Sequence, residues 1–380
     1  MSPIRSPSPS SPSITTPSTP ASPGTTDGTE ARTGRGLPAA QQSGSVQLAG
    51  LRSRSPVSAR GEGGAEAART GRSRAASQGA ETAAPARSTD PADSARLVAG
   101  AESITTLPAL QAALGELGGL DPSLHAKPLG ALANRIETLP PEDRAAAFQA
   151  VSNAVGELPP AAQSHPLARL GFQACELPEP ADRARAFQNT FASMEHVVSS
   201  GQATPGEHAQ MLAGLAYSVP GLTPERQQAE VGRLMTQIGK LPPGSRGAPI
   251  SSIAYRLDAV DPGARQAAFD GAISHLEPGG GGKAELTALA AGVHQLPDPG
   301  KRQEAFDELL PRIDKLAGPD RGEAVQNLTM QIVHLPPQNM LPAVNTMLGV
   351  VGEPGEDPHL QMAQQLLNHF KNLLSQAVDA

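Results

Sequence analysis

A step of 19 residues governs this chain. Leu120, Leu139, Leu158 and Leu177 keep that spacing, each followed at once or one residue later by Pro. Leu222, Leu241 and Val260 resume it, and Leu276, Leu296, Leu316 and Leu335 follow at steps of 16, 20, 20 and 19. A period this regular marks a repeat architecture. Pro ends the segment before it and is tolerated in the first turn of the next helix, so the spacing cuts the chain into short helices that cannot fuse.

The residues between the prolines follow a helical period. After Phe148, Val151, Val155 and Leu158 lie at offsets of 3, 7 and 10; Val231 and Phe306 open the same pattern. That is one face of a helix and not strand alternation. LPPEDRAAAF (139–148) shows the joint in full: Pro141 fits the first turn, and Glu142 and Asp143 sit at the positive end of the helix dipole. Arg144, Arg183, Arg226, Arg265 and Arg302 recur at steps of 39, 43, 39 and 37, so the structural unit is a helical hairpin of about 38 residues. These arginines stand beside Asp143, Asp182 and Glu225, and pairing within the first turn is expected for them. The spacing predicts an all-α chain: a right-handed α-solenoid of about seven antiparallel helix pairs, HEAT/armadillo-like, over residues 98–359. An apolar stripe through Leu360, Ala363, Leu367, Phe370 and Leu374 predicts a C-terminal capping helix over 360–380.

Composition agrees. Aromatics are 2% of the chain and Trp is absent, so the core must come from Leu, Ala, Val and Ile. Residues 1–97 differ: Ser, Pro, Thr, Gly, Ala and Arg dominate, with no Lys, Phe, Tyr or Trp. Such a segment cannot bury enough apolar surface to offset chain entropy, and a disordered tail is expected there. It carries 11 Arg against 7 Asp and Glu, whereas the remaining residues carry 19 basic and 30 acidic side chains. An acidic body repels phosphate backbones, so nucleic acid is not an expected partner. No Sec-type apolar leader and no apolar run of membrane-spanning length is present in the sequence.

Candidate chemistry is sparse. Cys175 is the single thiol, so no intrachain disulfide forms. It lies two residues before a helix-terminal Leu, where sister helices carry Gly156, Gly239, Ser274 and His294. A small filler position is the preferred reading, and a thioester-forming ubiquitin-ligase cysteine the alternative. His275 and His334, just before turn leucines, suit the negative end of a helix dipole. The nine His form no metal-binding pattern, and no cofactor motif is complete: Gly279–Lys283 lacks the leading Gly and the Ser or Thr of a phosphate loop. It reads as a glycine hinge, and VVSSGQATP (197–205) as a lengthened turn. No catalytic residue is assigned and no enzyme activity is expected. One column stands out. Five residues before the turn residue lie Asn134, Phe172, Tyr217, Tyr255, Ala291 and Met330. Three adjacent aromatics in so aromatic-poor a chain mark Phe172, Tyr217 and Tyr255 as a candidate partner groove, with packing between layers as the alternative.

A Ser/Pro/Arg-rich opening (MSPIRSPSPSSPS) ahead of Ala/Leu/Pro/Gly-rich helical repeats, with 24 Arg to 6 Lys, resembles type III secreted effectors of plant-pathogenic bacteria of the Xanthomonas and Ralstonia kind. The resemblance covers the whole chain in texture and rests on no single motif. It implies delivery by a bacterial type III system into a host cell, a possible secretion chaperone at the N-terminal segment, and a host protein as partner. LTPERQQAEVGRLMTQIG, from Leu222, superficially echoes the repeat of transcription-activator-like effectors, but these repeats diverge and the body is acidic, so no DNA-reading residue carries over. A bacterial cytoplasmic secretion chaperone or regulator is a further alternative.

Overall fold

Proline sets where most helices begin. In the computed structural model of the chain, Pro141, Pro160, Pro180, Pro205, Pro224, Pro262, Pro299 and Pro337 each occupy a first helical position, where the missing N–H would have no intrahelical partner. Residues 87–276, 282–317 and 319–378 are described. The chain divides into two units, Met1–Gln78 and Gly79–Ala380. The first lies outside the described residues, as do the expected tail up to residue 86 and most of the glycine hinge (277–281).

In the second unit fifteen α-helices are described. They are α1 (Pro91–Ala101), α2 (Leu107–Leu117), α3 (Ala126–Ala133), α4 (Pro141–Gly156), α5 (Pro160–Gln173), α6 (Pro180–Ser199), α7 (Pro205–Ser218), α8 (Pro224–Lys240), α9 (Gly247–Tyr255), α10 (Pro262–Ser274), α11 (Lys283–Gly292), α12 (Pro299–Asp314), α13 (Pro319–Met330), α14 (Pro337–Val351) and α15 (Pro358–Val378). No strand occurs among the described residues; one isolated bridge joins Ser88 and Leu120. Helix begins at Pro91, ahead of the boundary at Val98 read from composition, because Asp90 caps α1 by accepting from the Ala92 N–H.

Packing follows the 38-residue unit. Each odd-numbered helix lies on the next odd one, from α1 through to α15, and among the even helices α2 meets α4, α4 meets α6 and α8 meets α10. Side-chain hydrogen bonds that reach another helix hairpin span 29 to 47 residues, from Arg246–His275 to Ser218–Gly171. Contacts therefore run between neighbouring units, as in a helical repeat. Phe148, Phe187, Phe269 and Phe306, and Val231 in their place on α8, are all buried, as are the turn leucines apart from half-buried Leu316.

The odd row is packed backbone to backbone. A Cβ added to Gly171 would lie 3.0 Å from the carbonyl carbon of Gly214, and one on Gly214 would strike the Ala168 carbonyl. Small residues at this crossing let α5 and α7 approach closely, and α7 is consequently buried nearly all round. Odd helices α3, α5, α7, α9, α11 and α13 close in a single 3-10 turn before the turn residue. Its first member (Ile136, Ala174, Val219, Leu257, Val293 or Ile332) is buried each time, so the tightened turn swings one more apolar side chain inward.

The recurring arginines do not pair with the acids beside them. Arg144 donates from Nε to the Leu139 carbonyl (3.0 Å), and from its terminal nitrogens to the carbonyls of Glu137 (2.7 Å) and, one hairpin on, Glu176 (3.1 Å). Arg183 bonds the carbonyls of Leu177, Pro178 and Gly221; Arg265 those of Val260, Asp258 and Gln295; Arg302 those of Leu296 and His334. Arg246, outside the repeating Arg pattern, does the same for Leu241, Gly239 and His275. A guanidinium has five donors in a planar fork, so it satisfies the orphan carbonyls of its own incoming turn and of the neighbouring one together. Arg226 is exposed, and Gln227 fills the position: its amide donates to the Leu222 carbonyl (2.9 Å) and its oxygen accepts from the Asp261 N–H (2.6 Å).

The long stretch 197–205 is not a long loop. α6 runs on to Ser199, making 20 residues against 16 in α4. The chain then turns through Gly201 at φ +71°, and Thr204 and Glu207 form a capping box that starts α7.

Candidate partner-binding surface

The aromatic column lies at the C-terminal ends of the odd helices, just before the 3-10 turns. Phe172 and Tyr217, on adjacent odd helices α5 and α7, are brought together with ring centroids 5.4 Å apart and planes at 58°. This tilted geometry suits the ring quadrupoles. Both are half-buried. Tyr255, one odd helix further on, is 62% exposed and the most exposed large apolar side chain among the described residues. Elsewhere in the column Asn134 is exposed, Ala291 is half-buried and Met330 is 42% exposed.

Arg256 completes the strip. Its guanidinium carbon lies 4.4 Å from the centroid of the Tyr217 ring, a cation–π contact that covers the ring without consuming the guanidinium donors. The sequence pointed to Tyr255 and not to its neighbour. Only the three-dimensional stagger of α9 against α7 sets Arg256 over the Tyr217 ring, and adjacency to Tyr255 was the one available signal.

Cys175 sits at the edge of this strip in a packed turn. A Cβ on Gly221 would lie 2.9 Å from the Cys175 Cβ, and the Cys175 N–H donates to the Ser218 hydroxyl at 3.3 Å. Its thiol donates to the Phe172 carbonyl at 3.4 Å. Burial raises the thiol pKa to about 11; the Glu176 charge raises it too, against lowering by Ser218 and Arg256. The thiol is therefore protonated near neutral pH, and no His is placed as its base among its hydrogen-bond partners.

His334 is not held as the helix-end cation that its place before a turn leucine suggests. His294 and His334 stack with ring centroids 5.3 Å apart, and His294 meets the Gln331 side chain through both its backbone N–H and Nδ1 at 3.0 Å. Partial burial, then the charges of His294 and Arg302, lower the His334 pKa, so the ring is biased toward its neutral form. Among the described residues no group of three or more His, Cys, Asp or Glu is placed to hold a metal ion, and no helix is long and apolar enough to cross a membrane.

A second cation–π contact, on the even row, was not anticipated. Arg233 of α8 lies 4.0 Å over the Phe191 ring of α6 and pairs with Glu230 (3.0 Å) and Glu195 (3.6 Å), while Gln237 donates to Glu195 at 2.9 Å. Its donors are taken up in bracing α8 on α6, unlike those of Arg256.

Comparison with known proteins gives no family. No family model matches the chain, and no curated protein matches it. Among solved structures one similar chain is described as "Computational Design of Self-Assembling Cyclic Protein Homooligomers", at 13% identity and a TM-score of 0.15, with 76% of this chain and 93% of that chain covered.

Proposed function

We propose that this chain is a protein-binding scaffold: an α-solenoid of about seven helix pairs that holds its partner along the odd-helix face, centred on Phe172, Tyr217, Tyr255 and Arg256. One observation carries the reading. A chain with 2 Tyr and 7 Phe leaves one Tyr 62% exposed, stacks the other against Phe172 and lays an arginine over that ring. Tyr and Arg are the side chains that anchor interfaces, because each offers a broad apolar face with a polar tip. A partner segment that suits the strip presents an apolar side chain to Tyr217 and Tyr255 and a carboxylate or backbone carbonyl to the Arg256 donors.

The partner is proposed to be a host protein, with the Ser/Pro/Arg-rich segment 1–97 serving as a type III export signal. Composition of that segment supports this part. The alternative in which Cys175 acts as a ubiquitin-ligase nucleophile is disfavoured by a thiol pKa raised to about 11. The whole chain and a Tyr217→Ala/Tyr255→Ala variant, used as parallel baits in plant extract, test the strip. A partner retained by the first and reduced at least about tenfold by the second supports it, since interface anchors contribute about 1.4 kcal/mol or more each. Equal recovery by both baits refutes it. Export that persists after deletion of residues 1–50 refutes the signal.

A further inference from the structure

We propose that the apolar outer face of α15 binds a second copy of this chain, in an antiparallel, two-fold helix pairing. Ala363 and Leu367 turn inward against the body, while Met362 and Leu373 stand 46% and 52% exposed, with half-buried Leu366 and exposed His369 between them. On a helix of 3.6 residues per turn these four share one side. α15 packs on α13, where His359 Nδ1 lies 2.6 Å from the Gln326 side chain; Met330 at the end of α13 and Val333 in the 3-10 turn after it are 42% and 48% exposed. Of the exposed large apolar side chains among the described residues, all but Tyr255 lie at this end.

Two features select a second copy as the occupant. The stripe is symmetric along the helix. In an antiparallel pair centred between Leu367 and Asn368, Met362 meets the second copy's Leu373, and Leu366 meets its His369. The two ends of the stripe, eleven residues apart, lie about 16 Å apart along the axis, so both contacts form at once. The second feature is charge. The chain carries a net −7, so two copies repel over most of their surfaces, yet α15 has no Asp or Glu. In the same register Lys371 faces Gln364, and no like charges meet. An isologous interface requires this self-complementarity.

Sedimentation equilibrium of the whole chain tests the pairing. The expected result is a mass of twice 38.9 kDa that halves in Met362→Glu and in Leu373→Glu, with the circular dichroism spectrum unchanged because both side chains are exposed. The double variant Met362→Glu/Leu373→Lys restores the dimer, since each Glu then faces the other copy's Lys. A monomeric wild-type chain, which leaves the face to another partner, overturns the proposal. So does a dimer indifferent to the Glu variants, or one that the charge pair fails to restore.

Discussion

Gln227 and Arg226 invert what the repeat pattern implies. Aligned by sequence, Arg226 is the sister of Arg144, Arg183, Arg265 and Arg302, and its removal should weaken the fold. In the structure Arg226 is exposed, while Gln227 is 4% exposed and ties two hairpins together. Gln227→Ala leaves the Leu222 carbonyl and the Asp261 N–H without their side-chain partner, and removes the weaker 3.2 Å bond to the Pro220 carbonyl. A buried polar group stranded in this way costs about 1–3 kcal/mol. Asp261 is only partly buried and water recovers some of its share, so the two principal losses together come to about 3 kcal/mol. Arg226→Ala strands nothing and should leave the urea midpoint unchanged. Equilibrium urea unfolding of the two variants, followed at 222 nm, measures both. A loss below about 0.5 kcal/mol for Gln227→Ala, which is within the range of ordinary surface substitutions, or a larger loss for Arg226→Ala, refutes the view that these side chains act as carbonyl staples.

Glycines give a second opposed pair. Gly214→Ala drives a methyl group into the Ala168 carbonyl and should destabilise by about 3 kcal/mol, as overpacking does; Gly232→Ala in α8 meets nothing within 4 Å and should stabilise by about 1 kcal/mol. Cys175, with its thiol pKa raised to about 11 by burial, should react with iodoacetamide at pH 7.5 far more slowly than the unfolded chain, and a rate equal to that of a free thiol would contradict the packed turn. Because the folded pKa exceeds the ordinary thiol value of 9.0, the Cys175 contribution to stability is lost as pH rises from about 9 toward 11. His208 is buried, and burial, with Lys240 nearby, holds its pKa below the ordinary value of 6.5. The unfolded chain then binds the proton more readily, so stability is full above about pH 6.5 and falls as pH drops below it. His208→Asn should flatten that acid slope, and an unchanged slope in urea midpoints between pH 6.5 and 5 would contradict the assignment.

The helices were legible in the sequence because each carries its own start and stop. Pro141 or Pro205 at a first helical position, and Phe148 or Phe306 ahead of a 3, 7, 10 apolar pattern, are local signals that packing then respected. The 3-10 endings of the odd helices were not legible. The choice between 3-10 and α in the last turn depends on burying one residue such as Val219 or Leu257 against a neighbouring unit, which no local pattern reports. The arginines misled for a similar reason. Asp143 beside Arg144 suggests an ion pair, but exposed pairs contribute little, whereas a carbonyl such as that of Glu176 gains a donor only once the next hairpin has docked. At the candidate surface the Phe172–Tyr217 pairing followed from a count along the chain, because same-direction helices keep equivalent positions side by side. The Arg256 contact depends on the stagger of α9 against α7, which the count does not contain.

The proposed open row of odd helices underlies both the aromatic strip and the α15 face, and one distance tests it. Spin labels at Asn134→Cys, the C-cap of α3, and Met330→Cys, the last residue of α13, in a Cys175→Ala background, sit in the same exposed column five odd-helix steps apart. With about 9–10 Å between packed helix axes, pulsed electron–electron resonance should return about 40–50 Å, allowing for curvature of the row. A distance below about 30 Å would mean that the helices close into a bundle, and a continuous odd-helix face would then not exist.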